Sequence, residues 1–109
     1  MANTFKLKTK ANVGVTTVGI YTAPAATTTV VIGITMANTS GSGVNVGVGI
    51  TRAGTTEDVK LLKNAPIPQG SSLEFMAGNK IVLEETDTGT VDSDTNNSVD
   101  AALTIMEIT

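Results

Sequence analysis

Two acidic clusters and one basic stripe are the residues of this chain whose types and spacing could do chemistry. Glu84 and Glu85 are adjacent, Asp92-Ser93-Asp94-Thr95-Asn96 alternates carboxylate and amide oxygens, and Lys6, Lys8 and Lys10 recur at every second position. Paired carboxylates could share acid–base work, alternating oxygens could open a calcium loop, and spaced lysines could meet phosphates or carboxylates. Each pattern stops short. Neighbours in a strand point to opposite faces, so Glu84 and Glu85 cannot flank one bond. The calcium pattern breaks at Asn97, where glycine is required, and at Leu103, where the bidentate glutamate belongs. The lysines have no interleaved aromatics for base stacking, and the net charge of −3 disfavours nucleic acid.

The rest of the inventory narrows the field further. There is no His and no Cys, which removes the usual bases, thiol nucleophiles and zinc ligands, and any disulfide framework. No Ser-x-x-Lys occurs, and the Gly-rich stretch from Val44 to Gly49 is not followed by a P-loop lysine. The expectation is a protein without enzymatic activity, cofactor or bound metal. The start, MANTFKLKTK, lacks the apolar core of a signal peptide, and no run approaches a membrane span, so none is expected.

What must position these residues is a set of strands. With 109 residues the chain is expected to form one domain over 1–109. Nineteen Thr and twelve Val, against three aromatics, favour a pleated sheet over a helix. No segment carries 3.6-residue periodicity, whereas period-two alternation recurs. Phe5 and Leu7 alternate with the lysines as a half-buried strand whose apolar residues face inward. Val30, Ile32, Ile34 and Met36 share one face of the longest strand candidate. Val44, Val46, Val48 and Ile50 repeat that face after the loop Asn38-Thr39-Ser40-Gly41-Ser42-Gly43, which predicts a hairpin pairing 30–36 with 44–50. Asp87 to Asn97 reads as a polar surface loop with at most a short strand at Thr90-Val91. The predicted fold is all-β, an antiparallel β-sandwich or jelly roll. Its expected core holds Val30, Ile32, Ile34, Val46, Val48, Leu73, Ile81, Leu83, Leu103 and Ile105.

The stretch LLKNAPIPQGSSLEFMAGNKIVLEETD, Leu61 to Asp87, is the most structured-looking part of the chain. Pro66 and Pro68 fix their own φ and extend Ala65 and Ile67, so a rigid corner without sheet pairing is expected there. Gly70 frees the following turn, and Gly78-Asn79 tolerates positive φ between Leu73–Phe75 and Ile81–Leu83, which predicts a hairpin.

This segment, with the ending NSVDAALTIMEIT and the opening YTAPAATTTVVIGITMANTSGS, resembles a group of small virion proteins of tailed phages, especially those of marine bacteria and cyanophage-like kinds. That group shares Pro-x-Pro-x-Gly-x-Ser-Leu, a Gly turn, an apolar-x-Leu-Glu strand with an acidic step, and an Asn-Ser-Val-Asp strand closing on Glu-Ile-Thr. One departure stands out: where the acidic step often runs straight into a strand, this chain inserts DTGTVDSDTNN. The resemblance implies a structural virion component, capsid decoration first and a tail component second, located in the virion and made in the host cytoplasm. It implies partners among other virion proteins, such as the major capsid protein.

Charge and glycine suggest how copies would meet. Residues 1–56 carry Lys6, Lys8, Lys10 and Arg52 with no acid, while residues 57–109 carry all ten acids against three lysines, so the halves stand at +4 and −7. Either the halves interleave and the charges mix, or a dipolar surface favours contacts between copies. Gly33, Gly47 and Gly49 could line one smooth strip where another subunit packs, or could serve a strongly coiled sheet. With a core poor in aromatics, these features predict a homo-oligomer, a trimer before a dimer. The Lys6, Lys8 and Lys10 stripe is the candidate for a particle-facing contact; an edge strand guarded by lysine explains it equally. The alternative role is a tail-fibre module binding a receptor or glycan, which would gain if Tyr21 were exposed beside a cleft.

Overall fold

Alternating β-branched residues and short Gly, Ser, Asn and Pro punctuation give strands joined by tight connections. The computed structural model describes residues 2–75 and 80–109, and within them nine strands and no helix. They are β1 (Asn3–Val13), β2 (Val18–Thr22), β3 (Thr28–Asn38), β4 (Val44–Arg52), β5 (Glu57–Ile67), β6 (Ser72–Phe75), β7 (Ile81–Leu83), β8 (Asp87–Ser93) and β9 (Val99–Ile108). Two antiparallel sheets form a sandwich. The first runs β1-β9-β3, with β6 and β7 both along the far edge of β3; the second runs β2-β8-β4-β5.

The pairs β1 with β9, β2 with β8, β3 with β6 and β7, and β4 with β5 are nested, as in one long hairpin. Rolling that hairpin adds β9 to β3 and β8 to β4, which is the jelly-roll arrangement. The all-β antiparallel expectation therefore holds.

The local pairings differ from expectation in instructive ways. β3 and β4 do not form a hairpin: they lie in opposite sheets, and the 39–43 loop carries the chain across. Asn38 fixes that crossing, its amide donating to the carbonyls of Ser42 (2.8 Å) and Ile67 (2.9 Å) while its Oδ1 accepts from Ser40. Two matched apolar faces can bury each other across a sandwich as well as side by side, and alternation does not distinguish these cases. β6 and β7 likewise do not pair with each other. Both pair with β3, at Ala37–Ile34 and at Val31–Thr29, as one edge strand in two pieces. The predicted Gly78-Asn79 turn lies outside the described residues. The proline corner begins later than expected: Pro66 is paired opposite Asn45 in the edge strand β5, where a missing N–H is tolerated, and the turn starts at Pro68. Gly70, at φ 73°, supplies the left-handed step of that turn.

Asp87–Asn97 is not a surface loop. Its first seven residues form β8, paired on both sides at the centre of the second sheet. Its polar residues find partners there. Arg52 pairs with Asp87, Ser93 shares a 2.6 Å hydrogen bond with Ser98, and Val91 alone supplies a large apolar side chain to the core.

The core lies between the sheets and centres on Met36, Ile67, Leu83, Ile105, Val46, Val91 and Val99. Of the expected core, Ile34, Val46, Val48, Leu83, Leu103 and Ile105 are buried, and Leu73 and Ile81 pack against them half-buried. Val30 and Ile32 are not in it. A bulge between Val31 and Gly33 shifts the phase of β3, so Thr29 and Val31 face inward before it and Ile34 and Met36 after it. Alternation read through one extra residue assigns half the strand to the wrong face.

Candidate contact surface

The register places four apolar side chains in one row across the outer face of the first sheet. Phe5 stands opposite Met106, Met106 opposite Val30, and Val30 opposite Val82. Phe5 is 69% exposed and Val82 55%, with Met106 and Val30 half-buried between them. The next row is Leu7, Thr104 and Gly33, with the bulged Ile32 beside it, and Leu7 is 64% exposed. Asn3, Ile108 and Thr28 form the row on the other side. Along β1, β9 and β3 these three rows carry no charged side chain; exposed Lys80 and Glu84 flank β7 two residues either side of Val82, and Glu74 and Asp100 lie toward the far end of the face.

β1 is thus turned the opposite way from the expectation. Phe5 and Leu7 face solvent, and Lys6 and Lys8 pair opposite the core residues Ile105 and Leu103. The alternation was legible, but its direction depends on which face β9 buries. Lys6 reaches Glu107 at 2.9 Å, and the Lys8 ammonium stands 6.0 Å over the Tyr21 ring. Lys10 continues the stripe opposite Ala101. Two of the three candidate lysines therefore have partners within the fold.

Those lysines border a buried polar cluster that sequence reasoning did not find. Tyr21, only 7% exposed, donates to Glu107 Oε2 at 2.6 Å and shares a 2.8 Å hydrogen bond with Thr29 Oγ1. Burial and the neighbouring carboxylate push the Tyr21 hydroxyl up to about 12. The bond from Tyr21, followed by Lys6, holds the Glu107 carboxyl below its usual range. The signal was available: Glu107 is in phase with the inward residues Val99, Ala101, Leu103 and Ile105 of one strand. A carboxylate at such a position requires partners.

The glycines do not form one strip. Gly33 is in the first sheet, and a Cβ there would meet nothing within 4 Å among the described residues. Gly47 and Gly49 are in the second sheet, buried under their neighbours. A Cβ on Gly49 would stand 2.8 Å from the Val59 carbonyl oxygen, and one on Gly47 would stand 2.5 Å from Asp92 Oδ1. These two allow β4 to sit closely between β5 and β8.

The acidic clusters have structural duties. Asp92 accepts from Thr17 Oγ1 at 2.9 Å and faces Lys60 at 3.5 Å, while Asp94 caps the Asn45 N–H at 3.1 Å. Glu84 and Glu85 follow β7 in a turn rather than a strand, and they diverge, Glu84 to Arg52 and Glu85 to the Ala26 N–H at 2.7 Å. Asp87 and Glu84 together raise the Arg52 pKa above its usual value. The two halves of the chain interleave strand by strand, so Lys6–Glu107, Arg52–Asp87 and Arg52–Glu84 each join the acid-free half to the acid-rich one. The mixed-charge alternative is the one realised. Inside the core, a cavity of about 20 Å³ is lined by Ile20, Val31, Ile34, Ile50, Leu61 and Leu103, room for no more than a water.

No protein-family model and no curated protein matches the chain. Among solved structures it is similar to a protein from work on Bacillus endospore appendages, described as a family of disulfide-linked pili. The TM-score is 0.57 at 15% identity, over 99% of this chain and 87% of that one. It is also similar to a chain of the IBDV viral particle, with a TM-score of 0.58 at 13% identity, over 96% of this chain but 30% of that one. At these identities the likeness is one of fold: the same sandwich recurs in a pilus protein and within a larger viral chain.

Proposed function

We propose that this protein is a non-enzymatic structural component of a phage virion that works by surface contact, and that its role is capsid decoration. The observation that carries the reading is the uncharged apolar row Phe5–Met106–Val30–Val82 on an outer sheet face, which has no part in the chain's own core. Exposed apolar patches of this kind mark contact sites. The resemblance of the Pro-x-Pro segment and the C-terminal strand to small phage virion proteins supplies the virion setting. The recurrence of the fold in a pilus protein and a viral particle chain is in keeping with it. The chain has no cysteine, so its assembly would rest on non-covalent contacts and not on disulfides.

The alternative of a tail-fibre module binding a receptor or glycan gains nothing from Tyr21, which is buried. The test adds purified protein to expanded capsids that lack it and counts bound copies by cryo-electron microscopy. Occupancy at lattice symmetry positions is expected. Density confined to the tail transfers the role there, and absence from intact virions overturns the virion reading.

A further inference from the structure

We infer that β1 is a detachable strap: residues 3–10 open as one unit about a hinge at Ala11–Asn12 while the rest of the sandwich stays folded. Between Asn3 and Asn12 no side chain is buried, and only Lys8 is as much as half-buried. The strand is held instead by its ladder to β9, which runs unbroken from Asn3 opposite Ile108 to Lys10 opposite Ala101. Among the described residues it has no second strand neighbour. To the ladder it adds Lys6 on Glu107 and Lys8 over the Tyr21 ring. The peptide groups of an exposed edge strand regain water when they part, so each ladder bond stabilises little net. Ordering these residues costs conformational entropy, and no buried apolar side chain along them offsets it.

The hinge is marked on both sides. Beyond Lys10 the register with β9 slips, and Asn12 sits at φ 58°, a left-handed conformation that asparagine tolerates. Its N–H is pinned to Asp100 Oδ1 at 3.0 Å. One residue on, the chain is anchored. Val13 is 1% exposed, its carbonyl accepts from the Ser98 N–H at 3.1 Å, and the Gly14 carbonyl accepts from the Ser93 N–H at 2.9 Å. β9 does not depend on β1 for its place. It pairs with β3 from Thr28 opposite Ile108 to Asn38 opposite Val99, and Val99, Ala101, Leu103 and Ile105 are buried in the core. When the strap opens, Phe5 leaves the row it shares with Met106, Val30 and Val82, and Leu7 leaves the next row. The candidate contact surface is therefore complete only with the strap closed. Resting on the reading of the chain as a capsid-contact protein, it follows that a partner seated on that row binds the closed form and holds it shut.

Residue-resolved amide hydrogen exchange on the purified chain tests the strap. The β1 amides bonded to β9 should share one protection factor, at least about a hundredfold below that of the amides joining β4 to β8, and nearly independent of low urea. Along β9, the amides bonded to β1 should exchange with it, while those bonded to β3 stay protected. The Ser93 and Ser98 amides, bonded past the hinge to Gly14 and Val13, should stay with the protected set. Because the chain has no cysteine, Leu7→Cys with Thr104→Cys, opposite each other across β1 and β9, can be joined by a short bis-maleimide. The joined strand should gain at least about tenfold in protection. Protection that climbs gradually from Asn3, β1 amides as protected as those joining β4 to β8, or a joined strand that exchanges as before would each overturn the inference. In protein bound to expanded capsids, β1 exchange read by mass spectrometry should slow at least about tenfold, and unchanged exchange there would overturn the link to contact. Capsids that take up no protein would overturn the decoration reading instead, with exchange in the free chain still deciding the strap.

Discussion

The two outer faces of this sandwich are built from similar small and β-branched residues and do opposite things. The face of the second sheet is closed on itself. Thr22 bonds Thr88 at 2.9 Å, Asp92 bonds Thr17, and Gly47 and Gly49 lie under side chains and carbonyls of β5 and β8. The face of the first sheet is open, with Phe5, Leu7 and Val82 standing clear and Gly33 meeting no Cβ contact within 4 Å among the described residues. Glycine is a packing requirement on one face and spare room on the other. The same residue type therefore carries opposite predictions, and a face that has satisfied its own groups has little left to offer a partner.

The largest contrast should come from one substitution made on both faces. Gly49→Val forces a side chain against the Val59 carbonyl, and a loss of about 1–3 kcal/mol in chemical denaturation is expected. At Gly33 a Cβ meets no atom of the described residues within 4 Å, and valine gives the strand a β-branched residue, so the folding stability of Gly33→Val should hold or rise by up to about 1 kcal/mol. Equal losses at the two positions would erase the distinction between the faces.

Tyr21→Phe tests what anchors β1, and with it the presentation of Phe5 and Leu7. It removes the donor to a buried carboxylate, a loss of about 1–3 kcal/mol. The pH dependence has a definite sign. Glu107 is depressed in the fold, so its contribution is present above the usual 4.5 and is lost as pH falls through the lowered value. Tyr21 is raised, so its contribution is full below 10 and is lost as pH rises toward about 12. Denaturation of Tyr21→Phe across these two windows should show a flattened alkaline limb and a shallower acid limb. An alkaline limb identical to the unmodified protein would place Tyr21 outside the cluster.

Smaller effects should separate folding from association. Val82→Thr on the open face should change folding stability by no more than about 0.5 kcal/mol, while lowering the associated mass at a fixed concentration. Lys60→Met breaks a partly exposed ion pair on the closed face, and a change within about 0.5 kcal/mol with no change in association is expected.

The strands and the sandwich class were legible because period-two alternation and β-branched composition are local signals. Direction, register and neighbour were less so. Alternation in Phe5–Lys8 told which residues share a face but not that β9 would bury the lysine side. One bulge at Ile32 moved Val30 out of the core. Two apolar strands joined by a short loop looked like a hairpin, because nothing local says that Asn38 will tie the loop across to Ile67. Asp87–Ser93 looked like a loop because two of its polar residues are satisfied by Arg52 and Thr17, both distant in sequence, and Ser93 by Ser98, five residues on across a turn. The candidate lysines and glycines were identifiable by type, but the contact surface emerged only when Phe5, Met106, Val30 and Val82 came into one row from four separate strands.

Hydroxyl-radical footprinting read by mass spectrometry, comparing dilute protein with its associated state, tests the central claim most directly. Apart from Phe5, Leu7 and Val82, the large exposed apolar side chains among the described residues are Val15, between β1 and β2, and Val59 of β5, which lines one cleft with Val82. Protection of Phe5, Leu7 and Met106 on association, with Val15 unchanged, is the result predicted. Protection of Val15 while Phe5, Leu7 and Met106 stay reactive would contradict it.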